Sequence, residues 1–222
     1  MNLLKNTMKP LIAACLIAGS ISSLANDKGM FEVTVTNITG GEIFTPVMVA
    51  SHRYGQKLFT TGEPASTELE MLAEGGDTGP LSDKLIAEGA LDVVTSDGVL
   101  PPGQSVTLRV RADKRHDHVS VASMLVPSND TFFAVNGIHG PMERRELTLT
   151  VPAYDAGTED NDELCASIPG PPTVCAGEGY SAGGGEGYVY ISPGIHGQGN
   201  LTPSIYDWRN PVAKISIRRV RK

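Results

Sequence analysis

The stretch from residue 155 to 163, DAGTEDNDE, sets five carboxylates into nine residues: Asp155, Glu159, Asp160, Asp162 and Glu163. Hard oxygen donors at this density suit a hard cation. Like charges packed so closely repel, and a folded chain keeps them together only where water solvates them or a cation neutralises them. The segment is not an EF-hand loop, because Gly157 stands third where that loop needs glycine sixth and no twelve-residue loop of that kind fits. Calcium takes about six to eight oxygens, and loops at the ends of sandwich strands can bring them together. Asp155 and Glu159 follow directly on an alternating stretch that ends at Val151, and Asp130 follows another that ends at Val126. If those ends are neighbours, three carboxylates converge. The residues alone leave a bound cation and a solvated loop both open.

Other residues suggest other chemistry. Gly179-Tyr180-Ser181-Ala182-Gly183 fits the G-x-S-x-G pattern of a hydrolase nucleophile, but that pattern works on a sharp turn from strand to helix in a parallel sheet. Here glycines follow it, which argues for a surface loop without a catalytic serine. His116 and His118 would share one face of a strand, with Asp113 and Asp117 nearby, which could ligate a transition metal or simply form a charged turn entering a strand. His139 and His196, each beside glycine, read as turn or hydrogen-bonded structural histidines. Three sequons, at Asn37, Asn129 and Asn200, carry information only in a eukaryotic secretory pathway.

The elements that must position these groups are mostly strands. Phe31, Val33 and Val35 alternate with Glu32, Thr34 and Thr36, and the same pattern recurs around 106–111, 147–151 and 213–218. With 43–50, 118–126 and 188–191 as further candidates, the reading is all-β: an antiparallel β-sandwich of about eight strands. Thr67 with Glu70 forms a capping-box signature, and Leu81, Leu85 and Ile86 precede a stop at Gly89, so two short helices are expected to cover one end of the sandwich. The basic tail at 218–222 reads as protection of an edge strand.

Residues 1–25, with Lys5 and Lys9 ahead of an apolar run and small residues ending at Ala25, read as a secretory signal peptide, which leaves 26–222 as one domain. Ile12-Ala13-Ala14-Cys15 resembles a lipoprotein cleavage box, but the apolar run continues well past it. Without the leader the chain holds 16 basic against 25 acidic side chains, a formal charge of −9 that makes nucleic acid a poor partner. No later apolar run is long enough to cross a bilayer. Cys165 and Cys175 remain as the only cysteines in an oxidising compartment, either secreted or periplasmic, and are expected to form a disulfide around a Pro/Gly-rich loop.

At two of these places the chain resembles the spondin domain of F-spondin, mindin and bacterial relatives. Ser123-Met124-Leu125-Val126-Pro127-Ser128-Asn129-Asp130 looks like the family's Ser-x-x-x-x-Pro-Ser-Pro-Asp segment, and Asp155-Ala156-Gly157-Thr158-Glu159 is similar to its Asp-Ala-Gly-Thr-Asp. The likeness spans roughly residues 31 to 220. It implies a β-sandwich like that of calcium-dependent membrane-binding modules, one Ca2+ ion, and a non-catalytic adhesion or matrix role. The family's calcium carboxylates fall on Asp130, Asp155 and Glu159. Three positions depart from the pattern: Asn129 replaces Pro, Thr131 replaces Trp, and Glu159 replaces Asp, reaching further by one methylene. No accessory domain is expected to follow, so the animal proteins' partners do not carry over, and the partner is left as an extracellular or envelope protein or glycan. Two other readings stand beside this one: a metal-dependent hydrolase using His116, His118 or His196 beside a cation, and a module that binds lipid or glycan through calcium-bridged anionic groups.

Overall fold

The computed structural model describes residues 29–142 and 145–221, so the expected leader peptide and Cys15 lie outside the described residues. In chain order the strands and helices are β1 (Gly29–Asn37), β2 (Ile43–Phe44), β3 (Met48–His52), α1 (Thr67–Gly75), α2 (Gly79–Ala87), β4 (Asp92–Thr95) and β5 (Ser105–Ala112). They continue with β6 (His118–Val126), β7 (Thr131–His139), β8 (Glu146–Val151), β9 (Ala153–Asp155), β10 (Tyr190–Ile191), α3 (Pro203–Tyr206) and β11 (Ala213–Arg221).

Two antiparallel sheets form a sandwich. The smaller has the order β5-β1-β11-β8; the larger has the order β10-β9-β7-β6-β3-β4, with β2 also paired to β6. The alternating strands behave as their pattern requires. Phe31, Val33, Val35, Val110, Ile215 and Ile217 point inward and meet Val49, Val119, Val121, Phe133 and Val135 of the larger sheet. Each such side chain, fully buried, contributes about 1.5–3 kcal/mol of transfer free energy.

The middle of the larger sheet is buried on both faces. Every residue of β6 is buried, because a second apolar layer lies outside it: Leu69, Leu72, Ala73, Leu81 and Leu85 of the two helices pack on Met48, Ala50, Ala122, Phe132 and Ala134. The helices therefore lie across a sheet face, where the sequence placed them at one end. Alanines at 50, 122 and 134 leave room for them. The N-cap of α1 is Ser66, one residue before the Thr67 of the expected capping box, and its side chain accepts the Leu69 N–H at 3.4 Å. In α2, Leu81 and Leu85 are buried, whereas Ile86, counted with them from sequence, is exposed.

The described residues hold eleven strands, against the seven or eight read from sequence. The unforeseen strands are β4, β7 and β9, and the 43–50 stretch divides into β2 and β3. The basic strand β11 does not lie at an edge; it sits between β1 and β8. Its Arg218 pairs with Glu32, and its Arg219 guanidinium lies 5.7 Å from the Phe31 ring centre. Cys165 and Cys175 are bonded, with S–S 2.06 Å. Their loop is more than an excursion, since it drives Ile168 fully into the core. Among the described residues no helix is long and apolar enough to cross a membrane.

Candidate metal centre

The site is built on the β6–β7 hairpin. Within its turn, Ser128 Oγ donates to Leu125 O and accepts the Thr131 N–H at 3.3 Å, which leaves Asp130 as the last residue before β7. Strand β9 then pairs with β7, setting Thr131 opposite Asp155, and the Ala156 N–H donates to Asp130 O at 3.2 Å. Asp130 and Asp155 thus stand on neighbouring strand ends, though not the ends at Val126 and Val151 that the sequence reading paired. The route differs from the one expected: β8 belongs to the smaller sheet, and the three-residue β9 carries the chain across to the larger one.

Asp130 is fully buried. Its Oδ2 accepts the backbone N–H of Thr158 at 2.8 Å and of Glu159 at 3.2 Å, with the Thr158 hydroxyl at 3.3 Å, while its Oδ1 has no partner among the described residues. Burial, and after it the charge of Asp155, pushes the Asp130 carboxyl well above the usual range against the pull of those N–H groups. Asp155 is also fully buried; Oδ1 accepts the Gly157 N–H at 2.8 Å and Oδ2 accepts Asn161 Nδ2 at 2.9 Å. Its burial raises its carboxyl as well. Glu159 is 7% exposed, its Oε2 is unpartnered among the described residues, and burial followed by the charge of Glu74 pushes it up to about 8.

The acidic segment is therefore not a wet loop. Only Asp160 of its five carboxylates is exposed. Asp162 accepts from Asn129 Nδ2 at 3.0 Å, the Leu164 N–H at 2.8 Å and Ser167 Oγ at 2.8 Å. Glu163, at φ 54°, gathers the backbone N–H groups of His196, Gly197 and Gln198. Gly157, at φ 67°, lets the segment turn where a Cβ would stand 2.3 Å from Tyr188 O. The glycine-rich loop after residue 178 folds over it, with the Gly187 N–H donating to Gly157 O at 2.8 Å.

The donor set fits a hard cation. It is all oxygen and almost wholly withdrawn from water, and two of its three carboxylates present a free oxygen. None of these carboxylates takes part in an ion pair among the described residues. Also among the described residues, no three His, Cys, Asp or Glu side chains stand close enough to hold a metal ion by themselves. Any cation here must draw on backbone oxygens or water as well.

The histidines gather elsewhere. His52, His118 and His139 are cross-strand neighbours at the opposite ends of β6 and β7 from Asp130. Asp117 bridges His118 at 2.7 Å and His139 at 3.2 Å, and Asp113 holds His116 at 2.9 Å. His196 Nε2 turns back to Pro193 O at 3.2 Å. None of His116, His118 and His139 can act beside a cation at Asp130. Ser181 lies in the glycine-rich loop, where the next element is strand β10 and not a helix, and its N–H donates to Glu74. The sequons at Asn37 and Asn129 are buried and hydrogen-bonded.

Sequence reasoning missed the residues that support the site. Asn129, noticed only as a departure from a motif, also accepts the Glu163 N–H at 3.1 Å and so pins the acidic segment at two points. Asn161 lay unread inside the acidic run. Glu74 carried no signal at all, because its burial depends on a loop about a hundred residues away in sequence.

A family model described as Spondin_N matches residues 38–170, well over half of the chain, a span that includes Asp130, Asp155 and Glu159. No curated protein matches the chain. The family and the disulfide together point to an extracellular interaction module.

Proposed function

The chain belongs to the Spondin_N family, and on that premise we propose that it is an exported calcium-binding interaction module of the cell envelope or extracellular matrix, without catalysis. The observation that carries the calcium reading is the Asp130 carboxylate: fully buried, clamped on one oxygen by two backbone N–H groups, free on the other, and adjacent to a second buried aspartate. An uncompensated buried charge is costly, and a divalent cation removes that cost. Asp130, Asp155 and Glu159 would hold the ion, with backbone carbonyls or water completing its shell. When bound, calcium supplies fixed positive charge that ties the β6–β7 turn to the segment after β9. The chain's own part is to exclude water, through the glycine-rich cover, and to orient the carboxylates through Asn161 and the N–H groups of Gly157, Thr158 and Glu159. The partner this module fits is an extracellular or envelope protein or glycan.

Melting curves in calcium and in chelator test the reading. At calcium about 100-fold above the dissociation constant the gain should be about 2.7 kcal/mol, several degrees for a domain of this size. Asp155→Asn should remove most of that gain. Asp160→Asn, altering the exposed carboxylate of the same run, should leave it intact; Asp162 is unsuitable as this control because it is built into the loop. Coincident curves for the unaltered protein, or equal losses in both variants, would sink the reading.

A further inference from the structure

The end of the sandwich opposite the Asp130 turn carries the opposite charge. Two turns meet there: residues 53–57, RYGQK, after β3, and residues 113–117, DKRHD, between β5 and β6. The first is tight, with the Gln56 N–H reaching back to Arg53 O at 3.4 Å and Gly55 at φ 90°. Arg53 Nε donates to His116 Nε2 at 3.2 Å, which ties the two turns together. Tyr54 is 87% exposed, and its ring stands edge-on to that of His118 with centres 5.4 Å apart. Lys57, Lys114 and Arg115 of the same turns are exposed as well.

Both acids of these turns are committed elsewhere. Asp113 Oδ1 accepts the backbone N–H groups of Arg115 and His116 at 2.8 Å each and the His116 Nδ1–H at 2.9 Å. Asp117 lies between His118 at 2.7 Å and His139 at 3.2 Å. Other exposed cations find carboxylates, as Lys84 does with Glu68 and Arg111 with Asp92. Arg53, Lys57, Lys114 and Arg115 take part in no ion pair among the described residues. A chain of formal charge −7 thus keeps four uncompensated cations on two touching turns. Arg53 is the most constrained of them: its Nε holds His116, and its terminal nitrogens are left to match the two oxygens of an external carboxylate or sulfate. The acidic segment is about nine strand residues away, roughly 30 Å, which is well beyond the screening length of about 8 Å at physiological salt, so it does not repel an anion bound here.

We propose that this end is a second binding face, for an acidic polysaccharide: Arg53, Lys57, Lys114 and Arg115 take its carboxylate or sulfate groups, and the Tyr54 ring takes the apolar face of a sugar. A tyrosine offers an apolar body beside a polar tip, which suits a sugar ring. Neither turn offers an aliphatic side chain to insert among lipid tails, which decides against a bilayer. The inference rests on the interaction-module reading above, to which it adds a partner class, and it is independent of calcium.

The test is titration calorimetry of the disulfide-intact protein with heparin, with neutral dextran and with phosphatidylserine vesicles. Heparin should bind in calcium and in chelator alike, about 10- to 100-fold more weakly at about 0.5 M salt than at about 0.1 M, and dextran should not bind. Arg53→Ala should weaken heparin about 10-fold or more, and Lys114→Glu combined with Arg115→Glu should abolish binding. Tyr54→Ala should weaken it and Tyr54→Phe should not. Lys214→Ala, which removes an exposed cation near the other end of β11, should bind as the unaltered protein does, and melting temperatures show that each variant is folded. No heparin binding at the lower salt, binding lost in chelator, equal weakening by Arg53→Ala and Lys214→Ala, an unchanged affinity in Tyr54→Ala, or tighter binding to the vesicles than to heparin would overturn the proposal. Each of these leaves the calcium reading standing, because the melting shift that tests it reports on the opposite end of the molecule.

Discussion

At the scale of single residues, burial without charge partners makes the cation-free protein sensitive to pH. Glu159 has an ordinary value of 4.5 and is pushed up to about 8 in the fold, by burial first and by Glu74 second. Between those values the folded chain keeps a proton that the unfolded chain has lost, so stability in chelator should fall as pH rises from about 4.5 to about 8 and level off above. Asp130 and Asp155 are shifted upward too and act in the same direction. A cation must displace these protons, so calcium should bind more tightly as pH rises through the same window. Melting curves at pH 5 and pH 8 in chelator and in calcium check this. A melting temperature in chelator that climbs over that range would contradict it, and Glu159→Gln should flatten the slope. The carboxylates that face the site were legible because their spacing follows a motif. Their state was not, since Asp160 and Asp162 look alike in sequence and only the fold leaves the first exposed and surrounds the second with three donors.

At the scale of elements, the helical layer is an integral part of the sandwich, because it covers the outer face of the sheet that carries Asp130. Leu72, fully buried in that layer, makes the point testable: Leu72→Ala should cost about 2–5 kcal/mol. By contrast, removing the α1 cap with Ser66→Ala should cost about 1 kcal/mol. Equilibrium denaturation of the two variants checks the order, and similar losses would mean that the layer is loosely packed. The same double burial explains what the sequence concealed. Strands with one wet face, such as β1 and β5, announced themselves by alternation, whereas β7 carries Phe132-Phe133 with one ring toward the helices and the other toward the inner core. With both faces apolar, period-2 patterning disappears and the segment reads as a connection. Strand β9, at three residues, is too short to show any period. Its pairing with β7, which creates the site, is a long-range event that local spacing does not encode.

At the scale of the whole molecule, the disulfide closes a loop that fills the core between the sheets. Reducing it, or replacing both Cys165 and Cys175 by Ser, should cost about 2–3 kcal/mol from loop entropy and more where Ile168 loses its position. Thermal unfolding with and without reductant measures this, and an unchanged midpoint would show that the loop is held by its packing alone. The pairing of β1 with β11 has a different kind of consequence. Gly29 lies opposite Arg221 and Asn37 opposite Ala213, so the chain enters and leaves the described fold side by side, at the end where β5 gives way to the histidine cluster. The Asp130 turn lies at the far end, about nine residues of strand and roughly 30 Å away. Force applied between Gly29 and Arg221 would meet the hydrogen bonds of β1 and β11 one after another, opening them like a zipper instead of loading them together. A surface tether through either point would instead leave the strands intact and hold the acidic end outermost, facing whatever approaches.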